Sequence, residues 1–298
     1  MKIGALRESD PNESRVALVP ETVERLVKTG HEVFIENGAG IAAGFPDQAY
    51  AKAGAKTVPA IEVSKSIDLF VHVQPPTVDE IKALKIGCLI VSMFNARNDA
   101  SNMSILASAG ATAIAMELVP RIARAQRMDA LSSQASISGY KAALLAANAL
   151  GKYLPMMMTA AGTIPPAKIL VLGAGVAGLQ AIATARRLGA IVEAFDVRAA
   201  AGEQVESLGA KFIHPPKSED AEGSGGYARE QTEDEQHRQR LFIKEHLADV
   251  DALITTAAIP GRPAPILITT EMIEAMRPGS VVIDLAAESG GNVEGTAP

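Results

Sequence analysis

Hydrophobic positions along the chain fall into short aliphatic runs, set apart by glycine-rich turns and by stretches with helical spacing. Residues 2–5 form the first run and predict a strand, and residues 7–15 form a polar loop after it. Pro20 opens a stretch in which Val23, Leu26 and Val27 share one helical face, and Gly30 ends it. Residues 31–36 read as the next strand, with Gly38 and Gly40 in its turn. Further strand-like runs lie at 67–73, 88–92 and 111–115, with helical stretches between them. This alternation predicts a doubly wound α/β domain over residues 1–132.

Residues 117–132 are too rich in Arg, Gln, Asp and Ser for an ordinary core element. An Ala/Leu-rich helix is expected over about residues 133–154 as a connector, with Met156, Met157 and Met158 packing its end. From Lys168 onward a second strand, glycine turn, helix and strand pattern begins and repeats. The expected architecture is α/β: two Rossmann-like, doubly wound parallel-sheet domains joined by a long helix. The second domain covers 133–298 and includes the connector. Residues 219–240 are the most polar stretch. Gly223, Gly225 and Gly226 precede a charged helix whose residues 229–240 read as a solvated face, and a long Gly-rich loop inside a compact domain points to function or mobility.

Composition narrows the classes of function. Hydrophobic residues make up 48% of 298 and aromatics only 4%, with no Trp, so the cores are aliphatic and suit parallel sheets. A net charge of −6 without a basic stripe argues against nucleic acid as a partner. Cys88 is the single cysteine, so no internal disulfide can form, and its apolar surroundings place it in the core. No run reaches the roughly 20 apolar residues of a spanning helix. No signal or transit peptide is evident. The five His residues pair with no Cys or carboxylate cluster at ligand spacing, so no metal is expected.

The sharpest local signal starts at Lys168-Ile-Leu-Val-Leu172, an apolar strand followed at once by Gly173-Ala-Gly-Val-Ala-Gly178. Leu179, Ile182, Ala183 and Leu188 then recur at helical spacing, and a second strand ends in Asp196. Gly173 permits the tight turn, Gly175 lets backbone approach a pyrophosphate, and Gly178 lets helix pack on strand. The helix N-terminus, at Val176 and Ala177, offers amides and a positive dipole end to phosphate. Asp196, with Val197 and Arg198 after it, is placed to accept from the adenosine ribose hydroxyls. Together these predict dinucleotide binding. A 2′-phosphate beside Asp196 would meet like charge, which favours NAD(H) over NADP(H). Arg198 works the other way if it reaches the ribose; otherwise it faces solvent at a helix start.

In the polar segment, Arg121, Gln126, Asp129 and Ser132 offer a fixed cation, an amide, an acid and a hydroxyl within a short span. Such a set can clamp a nicotinamide carboxamide and ribose. The same residues also fit a salt-bridged interdomain loop. Here the sequence resembles a known family. Arg-Ala-Gln-Arg-Met-Asp-Ala-Leu-Ser-Ser-Gln (residues 124–134) is similar to the signature loop in the NAD(H)-binding domain of the alpha subunit of proton-translocating NAD(P) transhydrogenase, within the alanine dehydrogenase/transhydrogenase family. The similarity takes in Arg7-Glu-Ser, residues 13–20, the glycine turn, residues 196–200, Gly225-Gly-Tyr-Ala228, and residues 255–265 and 278–286. Several of these segments are shared with alanine dehydrogenase.

This resemblance implies that Arg121, Gln126, Asp129 and Ser132 hold the nicotinamide end of NAD(H). Gln126 would lie nearest the hydride transfer, and Tyr227 would fold over the nucleotide. It implies reversible, Re/Si-specific hydride transfer to NADP(H) on a partner domain, coupled to proton movement through a membrane domain. It further implies a homodimer, placed in the cytoplasm and held at the inner face of the cytoplasmic membrane through its partners, and a segment continuing beyond Pro298. Direct transfer between two nicotinamides moves no proton at the reacting carbons, so positioning and water exclusion suffice.

Two other readings compete. An alanine dehydrogenase would need a Lys after the third strand and a His after the fourth to shuttle protons. The matching stretches read Val71-His-Val-Gln-Pro-Pro76 and Val91-Ser-Met-Phe-Asn-Ala-Arg97, with neither residue in place. Glu288 stands where that family carries Asp, and Arg15 matches its substrate-binding Arg, either as function or as inherited scaffold. A non-catalytic NAD(H) sensor would need to grip only the adenosine half, and the polar segment opposes it.

Overall fold

The computed structural model describes residues 1–96, 100–214, 231–258 and 262–297, without the side chains of residues 100–102. The chain divides into two compact units, Met1–Ala130 and Leu131–Pro298.

In the first unit the elements run β1 (Lys2–Ala5), α1 (Pro20–Lys28), β2 (Glu32–Glu36), α2 (Asp47–Lys52), β3 (Lys56–Val58), α3 (Ala60–Ser66), β4 (Leu69–Val71), α4 (Val78–Ala83), β5 (Leu89–Ser92), α5 (Ala100–Ser108) and β6 (Thr112–Ala115). The strands pair in parallel in the order β3-β2-β1-β4-β5-β6. Local chemistry sets the ends: Pro20 fills the first turn of α1, and Thr77 with Glu80 forms a capping box on α4. Ile3, Val33, Ile35 and Tyr50 pack on one side of the sheet, and Phe70, Ile90, Phe94 and the buried Cys88 on the other. Burial pushes the Cys88 thiol up.

The second unit opens with α6 (Ala130–Ala149), followed by a two-stranded antiparallel hairpin of β7 (Met157–Thr159) and β8 (Gly162–Ile164). Then come β9 (Lys168–Leu172), α7 (Val176–Arg187), β10 (Ile191–Phe195), α8 (Ala201–Ser207), β11 (Lys211–Phe212), α9 (Glu233–Leu247), β12 (Ala252–Thr255), α10 (Thr270–Glu274) and β13 (Val281–Asp284). Its parallel sheet has the order β11-β10-β9-β12-β13. The long helix is more than a connector, because Ala142, Ala143 and Ala146 lie in the same core as Ile169, Val171 and Ile182.

Two expectations are corrected. The helix runs from Ala130, about a turn earlier than its spacing predicts, and stops at Ala149, before Gly151 and Pro155. Met156, Met157 and Met158 do not pack its end. They lie on and beside the hairpin, with Met158 79% exposed.

Candidate functional site

The glycine turn joins β9 to α7. Gly173 has φ +96°, a conformation other residues enter only with strain, and a Cβ there would stand 2.6 Å from Thr256 Oγ1. A Cβ at Gly178 would stand 1.8 Å from the Gly173 carbonyl oxygen, so helix and turn meet with no room for a side chain. Gly175 differs: it caps α7, and an added Cβ would meet nothing within 4 Å. Leu179 N–H donates to Gly175 O at 2.8 Å as the first helical bond. The amides of Val176, Ala177 and Gly178 therefore open the helix N-terminus onto the space beside Gly175, where a helix favours an anion. Donor amides, a positive helix end and open room at the one glycine of the turn without internal contacts fit a pyrophosphate.

Asp196 follows β10 and is buried. Its Oδ2 accepts from Ala174 N–H at 2.7 Å, which ties the acid to the glycine turn. Arg198 donates its backbone N–H and its Nε to Oδ1 at 2.9 and 2.8 Å, and its Nη2 to Oδ2 at 2.7 Å. Arg198 is thus paired with the acid instead of standing out in solvent. Val197 packs against the core beside Phe195. Tyr227 and the Gly-Gly-Tyr stretch lie outside the described residues.

The polar segment is divided by the boundary between the units. Arg121, Gln126 and Asp129 belong to the first unit, and Ser132 stands in the opening turn of α6 in the second. Gln126 is exposed on a short 3-10 helix, Ala123–Met128, and Asp129 terminates that helix. Arg121 Nε lies 3.8 Å from Asp129 Oδ2, so the cation and the acid of the set are brought together.

A second polar cluster, with no signal in the sequence pattern, gathers at the carboxyl ends of β1 and β4. These are the neighbouring strands at which the chain order of the first sheet reverses, where doubly wound sheets hold ligands. Glu8 accepts from the Val73 and Gln74 amides at 2.8 and 3.0 Å. His72 Nδ1 lies 2.8 Å from Gln74 O and 3.1 Å from Glu8 Oε2, two acceptors that place a proton on that nitrogen. Burial pushes the Glu8 carboxyl up, against the pull of His72. Gln74 Nε2 donates to Glu13 at 2.7 Å, and Arg15 grips Glu13 through Nε and Nη2 at 2.7 and 2.6 Å. Arg15's hydrogen bonds, more than any other influence, hold the Glu13 carboxyl down at about 2. The first crevice is therefore occupied by the protein's own carboxylates. The sequence pattern also gave no sign of Thr256, Asp284 and Asn292, at the far side of the glycine turn.

Two parallel doubly wound sheets, one carrying a glycine turn closed onto an acid, define a two-domain α/β protein of the Rossmann type. The chain belongs to the alanine dehydrogenase/PNT family: the N-terminal domain of that family matches residues 4–138 and the C-terminal domain residues 142–298. An NAD(P) transhydrogenase subunit alpha chain of Rhodospirillum rubrum is 49% identical over 300 residues, covering 98% of this chain and 78% of that protein. The NAD(P) transhydrogenase subunit alpha of Cereibacter sphaeroides is 47% identical over 301 residues, and this chain spans 58% of its length. The crystal structure of transhydrogenase from Sinorhizobium meliloti superposes with a TM-score of 0.89 at 49% identity, over 99% of this chain and 81% of that one. No helix among the described residues is long and apolar enough to cross a membrane.

Proposed function

We propose that this chain is the NAD(H)-binding component of a proton-translocating NAD(P) transhydrogenase. The observation that carries the proposal is the anion cradle at Gly175, flanked by the buried Asp196 tied to the same turn. The transhydrogenase alpha subunits that resemble the chain at 47% and 49% identity give it its direction. Bound NAD(H) supplies a hydride donor or acceptor for Re/Si-specific exchange with NADP(H) on a partner domain. The chain's own task is placement. Gly173, Gly175 and Gly178, with Val176 and Ala177, hold the pyrophosphate. Asp196, Val197 and Arg198 serve the adenosine ribose, and Tyr227 covers the nucleotide.

Arg121, Gln126, Asp129 and Ser132 serve the nicotinamide end. These are fixed donors and acceptors with no group that must gain or lose a proton, which suits a reaction limited by positioning. The alanine dehydrogenase reading is weakened further by Gln74, an amide committed to Glu13 where a proton-shuttling Lys would be required. Partners under this reading are an NADP(H)-binding domain and a membrane domain, through which the chain sits at the cytoplasmic face of the membrane. A second copy completes a homodimer, and the exposed Met156, Met157 and Met158 supply apolar surface of the kind that such contacts bury.

The deciding experiment mixes the chain with a purified NADP(H)-binding transhydrogenase domain and follows hydride transfer from NADPH to an NAD analogue. Transfer is expected. A folded, NADH-binding chain that supports none overturns the proposal, and alanine-driven NAD reduction by the chain alone would replace it with the dehydrogenase reading.

A further inference from the structure

The carboxylate of Asp284, at the end of β13, is saturated. Thr255, its partner across the sheet, donates Oγ1–H to Oδ1 at 2.9 Å, and Ala286 N–H reaches the same oxygen at 2.9 Å. Oδ2 accepts from the backbone amides of Asn292 and Val293 at 2.8 and 3.1 Å. These four bonds fill the about four lone-pair positions that a carboxylate offers.

Asn292, held in this way, is completely buried. Its Oδ1 accepts from Ala257 N–H at 2.9 Å, and its Nδ2 donates to the carbonyls of Ala257 and Pro265 at 2.7 and 2.9 Å. Only an amide satisfies one donor and two acceptors in this arrangement, since a carboxylate would face two carbonyl oxygens. The adjoining Thr256 donates Oγ1–H to Gly173 O at 3.0 Å and its backbone N–H to Leu172 O at 2.8 Å. The backbone that leaves β12 is therefore fastened to the glycine turn on one side and to Asn292 on the other.

The position of this fastening matters. From β9 the chain proceeds outward to β10 and β11, then returns to the other side of β9 for β12 and β13. A dinucleotide crosses such a reversal with one half on each side. Asp196, at the end of β10, takes the adenosine side, which leaves the end of β12 for the nicotinamide side.

We propose that Asp284 and Asn292 are positioning residues that hold the Thr256–Ala257 backbone as the floor for the nicotinamide half of NAD(H). This rests on the NAD(H) reading above. Residues 259–261 form no part of it.

The test compares two probes on the full chain, NADH and ADP-ribose, which lacks the nicotinamide. Asn292→Asp keeps the shape of the side chain and reverses its donors, and Asp284→Asn places donors against amides. In each, NADH affinity is expected to fall about tenfold, the size of losing one well-made buried hydrogen bond, while ADP-ribose affinity stays within about twofold. Thr255→Val removes one of the four bonds to Asp284 with little change of volume; it supplies a milder variant should the others fail to fold, with an NADH-specific loss of about threefold expected. Equal losses for both probes, or unchanged NADH affinity in folded variants, would overturn the proposal. Failure of the unsubstituted chain to bind either probe would instead overturn the NAD(H) reading, and this inference with it.

Discussion

Arg198 grips Asp196 in a two-point contact from two residues away, Nε to Oδ1 at 2.8 Å and Nη2 to Oδ2 at 2.7 Å. With the amides of Ala174 and Arg198 added, the acid that should receive ribose hydroxyls is already fully hydrogen-bonded. A ribose must therefore take places that Arg198 now fills, and the guanidinium remains beside the 2′ position. Asp196→Ala is expected to lower NADH affinity about tenfold, as for a buried charge-assisted pair, and to raise NADPH affinity relative to NADH, because the cation loses its internal partner. Titration with both nucleotides checks this. An unchanged ratio between them would show that Asp196 and Arg198 do not sort cofactors.

Two glycines near the same helix end separate folding from binding. Gly139 on α6 faces α7, and a Cβ there would stand 2.0 Å from the Ala177 carbonyl oxygen, a backbone atom with no flexible end to move aside. Gly139→Ala is expected to destabilise the chain by about 1–3 kcal/mol, the range for overpacking a filled core. Gly175→Ala adds a methyl where the protein has nothing within 4 Å, at an ordinary φ of −77°. It should melt like the unsubstituted chain yet lose NADH affinity at least about tenfold, because the methyl enters the pyrophosphate's place. Thermal unfolding and NADH titration on the two variants should therefore give opposite patterns. A Gly175 variant that binds NADH normally would remove the anion cradle from the site.

The first unit carries a pH-dependent contribution. Arg15's hydrogen bonds, joined by Gln74's, hold the Glu13 carboxyl at about 2 against an ordinary 4.5. A carboxyl depressed by folding stabilises the folded state fully above its unfolded value and loses that contribution as pH falls toward its folded value. The stability gap between the native chain and Arg15→Ala should thus be constant above about pH 4.5 and close between there and about pH 2. Chemical denaturation of both proteins at stepped pH measures the gap. Using the difference also cancels Glu8, whose carboxyl burial shifts the opposite way. A gap that persists unchanged to pH 2 would show that Glu13 and Arg15 are not coupled in this manner.

What the sequence makes legible is local. Pro20 and Gly30 mark α1 to within two residues, and the glycine turn with its strand, helix and terminal acid is complete within 29 residues, 168–196. Short strands are harder: β3 and both strands of the hairpin have three residues each, too few to show a period, so the Met run beside them reads as core. The start of α6 is hidden because Ala130 and Leu131 carry no capping signal distinct from the polar segment before them. Longer-range partners leave no trace. Glu8 meets His72 across 64 positions and Asn292 meets Ala257 across 35, and neither spacing follows from helix or strand geometry. Gly139 does leave a clue: an isolated glycine inside an Ala-rich helical run costs helix stability and calls for a packing reason.

Gln126 offers the most direct test of the transfer reading. It is exposed on its short 3-10 helix, so its replacement should leave the melting temperature almost unchanged. Gln126→Asn keeps the amide but draws it back by one methylene. If the amide aligns the reacting rings, a displacement on the order of 1 Å is expected to slow hydride transfer by up to about a hundredfold, while NADH binding, spread over the glycine turn and Asp196, weakens by no more than about threefold. Single-turnover transfer with an NADP(H)-binding partner domain gives the first quantity, and NADH titration of the chain alone gives the second. Losses of equal size in the two would mean that Gln126 contributes to holding the nucleotide and not to aligning it.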